Sequence, residues 1–279
     1  MCYFPFDAKA VDYSKRNAYS LAKCSQWAYD GKRKVQTNLQ SCGLQLHEYL
    51  QDPDTGTEGF VAYDAEKVIV AFRGTQEPTD YLTNARVTPR EWQNVGFVHS
   101  GFGKGVDSVW KQLTKALDAP HLEGLPLWMT GHSLGGALAT LAAAWGEINE
   151  GRPIAGLYTF GCPRVGDPQE FYTNVTKKLG DRIYRVVHEP DVVPQVPPED
   201  WGKGYKHVGI VELFHADGAR EEQYGAWVTT KSILAPLIAG TVAVVAAWVA
   251  AQWKACAANH SIDTYVRLTG RECPPPGTP

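Results

Sequence analysis

The sequence predicts an α/β fold, a mostly parallel central sheet flanked by helices, and three observations carry that reading. Short β-rich runs alternate with helix-like segments from Gly59 to Val187. One of these runs leads into a glycine-rich turn and from there directly into an alanine- and leucine-rich stretch. Neither an internal repeat nor a Gly/Ser linker interrupts the series.

Taken in order, residues 11–29 place Ala18, Leu21, Ala22, Trp27 and Ala28 among charges, the pattern of a surface helix lying over a sheet. Gly59–Tyr63 and Val68–Phe72 read as strands joined by the turn Asp64-Ala65-Glu66, a hairpin leading inward. Val106–Leu117 is helix-like, Leu125–Thr130 is a short apolar strand, and Leu134–Trp145 is a helix. Ile154–Phe160, Pro168–Leu179 and Arg182–Val187 continue the series as strand, helix and strand. One domain is expected over residues 1–272, with an apolar insertion at about 228–254. The proline-rich tail 273–279 reads as a loose end, because proline cannot continue a helix.

A chain of 279 residues can bury one large core. Its apolar fraction of 44% and charged fraction of 20% exclude a disordered or fibrous class. With 27 Lys and Arg against 30 Asp and Glu, and no long basic block, nucleic acid is not an expected partner. Cys2, Cys24, Cys42, Cys162, Cys256 and Cys273 are scattered, without the close pairs of zinc or redox sites, so neither a metal nor a cofactor is expected. Asp7, Lys9, Asp12, Lys15 and Arg16 interrupt any signal-peptide pattern, which favours free thiols. Removal of a leader would reverse that preference.

The strongest chemical signal is Thr130-Gly131-His132-Ser133-Leu134-Gly135-Gly136. It contains G-x-S-x-G between a predicted strand and a predicted helix, the context of the nucleophile elbow in the α/β-hydrolase fold. The glycines keep side chains away from a sharp turn that lifts the Ser133 hydroxyl toward a base and a substrate carbonyl. The amide of Leu134, at a helix N-terminus, can donate to a developing oxyanion. Serine needs a base, and in this fold acid and then histidine follow the nucleophile. That order leaves His188, His207, His215 and His260 as candidate bases. Asp191, in a run stiffened by Pro194, Pro197 and Pro198, fits best as the acid that orients an imidazole, although a plain turn former is also consistent with its local chemistry.

Several stretches together resemble the class 3, or fungal-type, triacylglycerol lipase family. They are Val70–Thr75, Asp80–Asn84, Val98–Phe102, Thr130–Gly136, Tyr158–Asp167, Asp191–Pro194 and Asn259-His260, in family order over roughly residues 60–265. The resemblance implies Ser133 as nucleophile, Asp191 as acid, His260 as base, and Thr75 beside the Leu134 amide in the oxyanion hole. It gives His207 a structural role. It also makes roughly Gln76–Val95 a lid, with Tyr81, Leu82 and Trp92 either facing lipid or simply packing. The match departs after His260, where Ser-Ile-Asp-Thr-Tyr265 replaces the family's Leu-Ser-Tyr type of run.

Residues 232–253 carry no charge and are long enough to span a bilayer. A single crossing, however, would part Asp191 from His260 by a layer about 30 Å thick, and residues 254–260 reach at most ~25 Å. With an intact triad three readings remain. The segment is a helix lining the acyl pocket through Leu237, Val244 and Trp248, a membrane-dipping arm broken near Pro236 and Gly240, or an ordinary core helix. The first two favour lipidic esters, and the arm adds peripheral contact with a lipid interface.

The expected reaction is ester hydrolysis through an acyl-enzyme, with acylglycerols as first substrates, phospholipid sn-1 esters second and small carboxylic esters third. The rival from another class is a lipid- or membrane-binding protein that keeps the hydrolase scaffold without its activity.

Overall fold

The computed structural model describes residues 2–75, 89–197, 199, 204–223 and 257–276. Its centre is an eight-stranded sheet in the order β1-β2-β3-β6-β7-β8-β9-β10. β1 (Gln45–Asp52), β2 (Thr57–Tyr63) and β3 (Val68–Phe72) form an antiparallel meander. β3, β6 (Leu127–His132), β7 (Gly156–Phe160), β8 (Ile183–His188) and β9 (Ile210–Phe214) run parallel, and β10 (Arg220–Gln223) returns antiparallel. β4 (Pro89–Trp92) and β5 (Gly96–His99) pair separately as a short hairpin.

The parallel strands are buried on both faces, so they read as continuous apolar runs rather than as alternations. β6 and β7 are buried throughout. One face packs against α3 (Ser100–Leu117), α4 (Leu134–Asn149) and α5 (Glu170–Leu179), around Val70, Phe72, Met129, Leu141 and Leu157. The alanines of α4 let that helix lie close against the strands; Ala137, Ala139, Ala142, Ala143 and Ala144 are all buried. On the other face lie α1 (Lys15–Trp27) and α6 (Ile262–Glu272). Ser14 caps α1 by accepting from the Asn17 amide at 3.3 Å, and Ala18, Leu21 and Ala22 carry its apolar stripe into the core with Trp128, Tyr158 and Phe160. α2 (Lys32–Ser41) follows α1 and adds Val35 and Leu39 to the same core.

The alternation from Gly59 to Val187 therefore appears where the sequence places it. Within that interval the reading misses the β4–β5 hairpin, and outside it β1, α2, β9, β10 and α6. β1 carries a register shift between Leu46 and Glu48, which breaks the period-2 pattern that would reveal it. α6 is announced by Ser261, whose hydroxyl accepts from the Asp263 amide, and by the i, i+3, i+4 spacing of Tyr265, Leu268 and Thr269.

Two expectations are corrected. Cys2 and Cys42 form a disulfide, while Cys24, Cys162 and Cys273 are free and buried; Cys256 lies outside the described residues. The sequence hides this pair because chain spacing says nothing about proximity across 40 residues. The tail does not begin loose. Cys273 is buried, and Tyr3 donates its hydroxyl to the Pro274 carbonyl at 3.0 Å, which ties the first residues to the end of α6.

On the loop-entropy estimate, the bridge contributes up to about 4 kcal/mol. Reduction with dithiothreitol, or Cys42→Ser, is expected to lower the thermal midpoint by several degrees. An unchanged midpoint with both thiols shown to be alkylated would mean that the bridge adds nothing to stability.

Candidate active site

In parallel α/β sheets, ligands bind beyond the carboxyl ends of the strands. Thr75 follows the end of β3, Ser133 follows β6, Gly161 follows β7 and Asp191 follows β8, so one edge of the sheet gathers them. A cavity of about 770 Å³ lies at the opposite edge, between the segments that lead into β6, β7 and β8. It contains none of these residues.

The turn from β6 into α4 is the elbow anticipated from the motif. Ser133 sits at φ 57° and ψ −128°, a backbone conformation costly for a residue with a side chain. Contacts on both sides hold it there. Its amide donates to the Phe160 carbonyl at 2.9 Å, and its carbonyl accepts from the Gly136 amide at 2.9 Å. A methyl on Gly131 would lie 2.2 Å from the Gly135 carbonyl, and one on Gly135 would lie 2.2 Å from the Phe72 carbonyl. The motif's glycines are thus required by the approach of α4 to β3 and β6.

Asp191 is fully buried, and three donors surround its carboxylate. Oδ2 accepts from His260 Nδ1 at 2.8 Å and from the Tyr265 hydroxyl at 2.6 Å, while Oδ1 accepts from the Val193 amide at 2.9 Å. A donor at Nδ1 leaves Nε2 of a neutral His260 as the acceptor, the tautomer a general base needs. This pair lies against Gly161. A methyl there would meet Asp191 Oδ2 at 2.7 Å and His260 Nδ1 at 3.0 Å, at a φ of +56°. The Ser133 amide is bonded to residue 160, so the elbow and the His260–Asp191 pair both lie at the end of β7.

The four histidines left open by chain order now separate. His207 is half-buried and donates Nε2–H to the Pro194 carbonyl at 2.7 Å. His215 lies on the surface between Glu189 and Glu221, whose hydrogen bonds raise its pKa. His188 keeps its ring near the Asn259 carbonyl at 3.4 Å. Only His260 among them bonds the Asp191 carboxylate.

Three residues had no assigned part in the sequence reading. His132, in the motif itself, donates Nε2–H to the His260 carbonyl at 2.6 Å and accepts the Tyr29 hydroxyl at Nδ1 at 2.7 Å. Burial drives its pKa well below the ordinary value, so the ring is a neutral strut between the elbow and the histidine loop. Tyr29 follows α1, and nothing in its local sequence marks it. Tyr265, the last residue of the run that departs from the family pattern, turns out to be the hydroxyl on Asp191.

Thr75 and Leu134 line one cleft of about 480 Å³ with Gly74, Gly101, Gly105 and Leu138. Trp92 does not face that cleft. It is buried on β4, its ring centroid 4.9 Å from that of Trp145 and its indole N–H donated to Asp107. Val95 is buried too, so both apolar side chains of this stretch pack into the core. Tyr81, Leu82, Leu237, Val244 and Trp248 lie outside the described residues. Among the described residues no cluster of His, Cys, Asp and Glu could hold a metal ion, and no helix is long and apolar enough to cross a membrane.

Residues 69–201 match the family model for lipase (class 3). The chain is 35% identical over 159 residues to secreted mono- and diacylglycerol lipase 1 of Fusarium solani, covering 55% of this chain and 46% of that protein. It is 30% identical over 206 residues to a lipase of Rhizopus niveus, covering 70% and 47% respectively. The crystal structure of a lipase from Rhizopus microsporus var. chinensis aligns with a TM-score of 0.57 at 29% identity, over 71% of this chain and 69% of that one. The chain spans about half the length of the curated relatives it matches.

Gly161→Ala tests whether the carboxylate and imidazole are seated as described. The added methyl is expected to cost about 1–3 kcal/mol in backbone strain. It should also slow fluorophosphonate labelling of Ser133 at least tenfold with the far-ultraviolet circular dichroism retained. Wild-type labelling rates in the variant would contradict the packing at residue 161.

Proposed function

We propose that this chain, which belongs to the class 3 lipase family of α/β-hydrolases, hydrolyses carboxylic esters of acylglycerols through an acyl-enzyme on Ser133. The observation that carries the reading is the buried bond from His260 Nδ1 to Asp191 Oδ2, 2.8 Å long, placed against the end of the strand to which the Ser133 amide is bonded.

In this scheme His260 Nε2 takes the Ser133 proton as the hydroxyl oxygen attacks the ester carbonyl. Asp191 holds the imidazole in its tautomer and stabilises the imidazolium that forms. The carbonyl oxygen becomes an alkoxide, and the Leu134 amide at the start of α4 and Thr75 across the cleft are its donors. Collapse of the tetrahedral intermediate breaks the bond to the alcohol oxygen, which leaves with the proton from His260. Water, deprotonated by His260, then attacks the acyl-serine, and the second collapse returns the serine and releases the acid. Every group in the scheme belongs to the protein or the substrate.

Acylglycerols are the preferred substrate class because the relatives named above are mono- and diacylglycerol lipases or lipases, and because residues 232–253 form a long uncharged run in the sequence. Contact with a lipid interface follows as part of the same reading. Hydrolysis of p-nitrophenyl esters with acyl chains from two to sixteen carbons, with and without detergent, tests the proposal. The wild type is expected to prefer long chains presented at an interface, and Ser133→Ala is expected to lose at least about 10³-fold in kcat. Activity confined to short chains would make the protein a soluble esterase. Absence of any Ser133-dependent turnover would favour a lipid-binding role.

A further inference from the structure

Behind the acid loop lies a buried positive charge that the hydrolytic scheme does not use. β7 and β8 are in register with Thr159 beside Arg185, so both side chains leave the sheet on the face covered by α4. Arg185 is only 6% exposed. Its Nε and Nη1 are buried and meet no acceptor among the described residues, and no described carboxylate pairs with it. The hydroxyl of Thr159 is buried too, and its neighbour is the Cys162 thiol, which burial keeps protonated.

Among the described residues the permanent charge nearby adds to that of Arg185, while the Cys162 thiol, whose thiolate would offset it, is kept neutral by burial. Arg164, 2% exposed, lies within electrostatic reach. It donates Nη1 to the Gln195 and Pro197 carbonyls and Nη2 to Glu199 at 3.0 Å. His207 bonds the Pro194 carbonyl and is held neutral by burial and by both guanidinium groups. Gln195, 2% exposed, has no partner among the described residues for either atom of its side-chain amide. The unspent capacity here is mainly that of donors: guanidinium N–H, hydroxyl and amide.

A buried guanidinium without a counter-charge costs several kcal/mol. Water can satisfy its hydrogen bonds but cannot offset its charge. A small monovalent anion does both, and a halide loses less hydration energy on burial than phosphate would. We propose that Arg185 holds a dehydrated monovalent anion, chloride in ordinary solutions, with the Thr159 hydroxyl as a second donor. The ion serves as a structural ligand beneath the loop that runs from Asp191 to Pro197. Arg164 and His207 grip three carbonyls of that loop, so neutralising the charge behind them steadies the segment that carries the acid.

The test uses the full chain exchanged into sodium gluconate, then titrated with chloride or bromide at constant ionic strength. A site that binds only the folded state should raise the melting temperature by about 2–4 °C for each tenfold rise in halide above the dissociation constant. Arg185→Met, close in length and uncharged, should melt at the same temperature in gluconate and in halide. Crystals of the wild type soaked in bromide should show an anomalous peak against the Arg185 guanidinium, a readout independent of whether the variant folds. Equal melting of the wild type in gluconate and halide, with no bromide peak, would overturn the proposal in favour of ordered water. Halide dependence that persists in Arg185→Met would overturn it as well.

Discussion

The constraint on which the rest of this structure depends is the burial of the Asp191 carboxylate. A fully buried carboxylate must be surrounded by donors, because an unsatisfied one costs more than most whole side chains contribute. Here the donors come from three separate stretches of chain: the Val193 amide two residues on, the His260 imidazole far along the sequence, and the Tyr265 hydroxyl on α6. Satisfying one side chain therefore fixes where α6 must dock. α6 packs on α1, and α1 brings Tyr29 to the ring of His132. The placement of two helices and the orientation of one histidine are consequences of the same electrostatic requirement.

A second chain of dependence runs through the backbone. Ser133 adopts a positive φ because α4 starts directly beneath β3 and β6, with glycine wherever a side chain would strike a carbonyl. The strain is local and the compensation is spread out: the bond to Phe160, the start of a helix, and a core of alanines that draws that helix down. Strain held by its surroundings is characteristic of sites that present a reactive group in one fixed direction. The elbow and the buried acid meet at the end of β7, where Gly161 leaves room for both.

Much of this was legible beforehand, and the limits have physical causes. The alternation of strands and helices from Gly59 to Val187 is carried by burial on both faces, which leaves a strong apolar signal. Ser133 stood out because the elbow geometry permits few residues. Asp191 and His260 could not be paired from spacing, since 69 residues separate them and three other histidines satisfied the same order; the resemblance to a family supplied what the residues left open. Trp92 shows the opposite case, in which an aromatic residue in the segment after Thr75 reads equally well as lipid-facing or packed, and its burial against Trp145 shows the packing. Tyr29 and Tyr265 left no local mark because their roles exist only across the fold. The Cys2–Cys42 bridge was hidden for the same reason.

The irregularity in β1 that obscured it in the sequence bears on how the molecule behaves in crowded solution. Among the described residues β1 and β10 are the two margins of the central sheet, and an edge strand can offer amides and carbonyls to another extended chain. The register shift between Leu46 and Glu48 interrupts flat pairing at one margin, and Arg220 and Glu221 place charge at the start of the other. Both margins are thereby poor templates for strand addition.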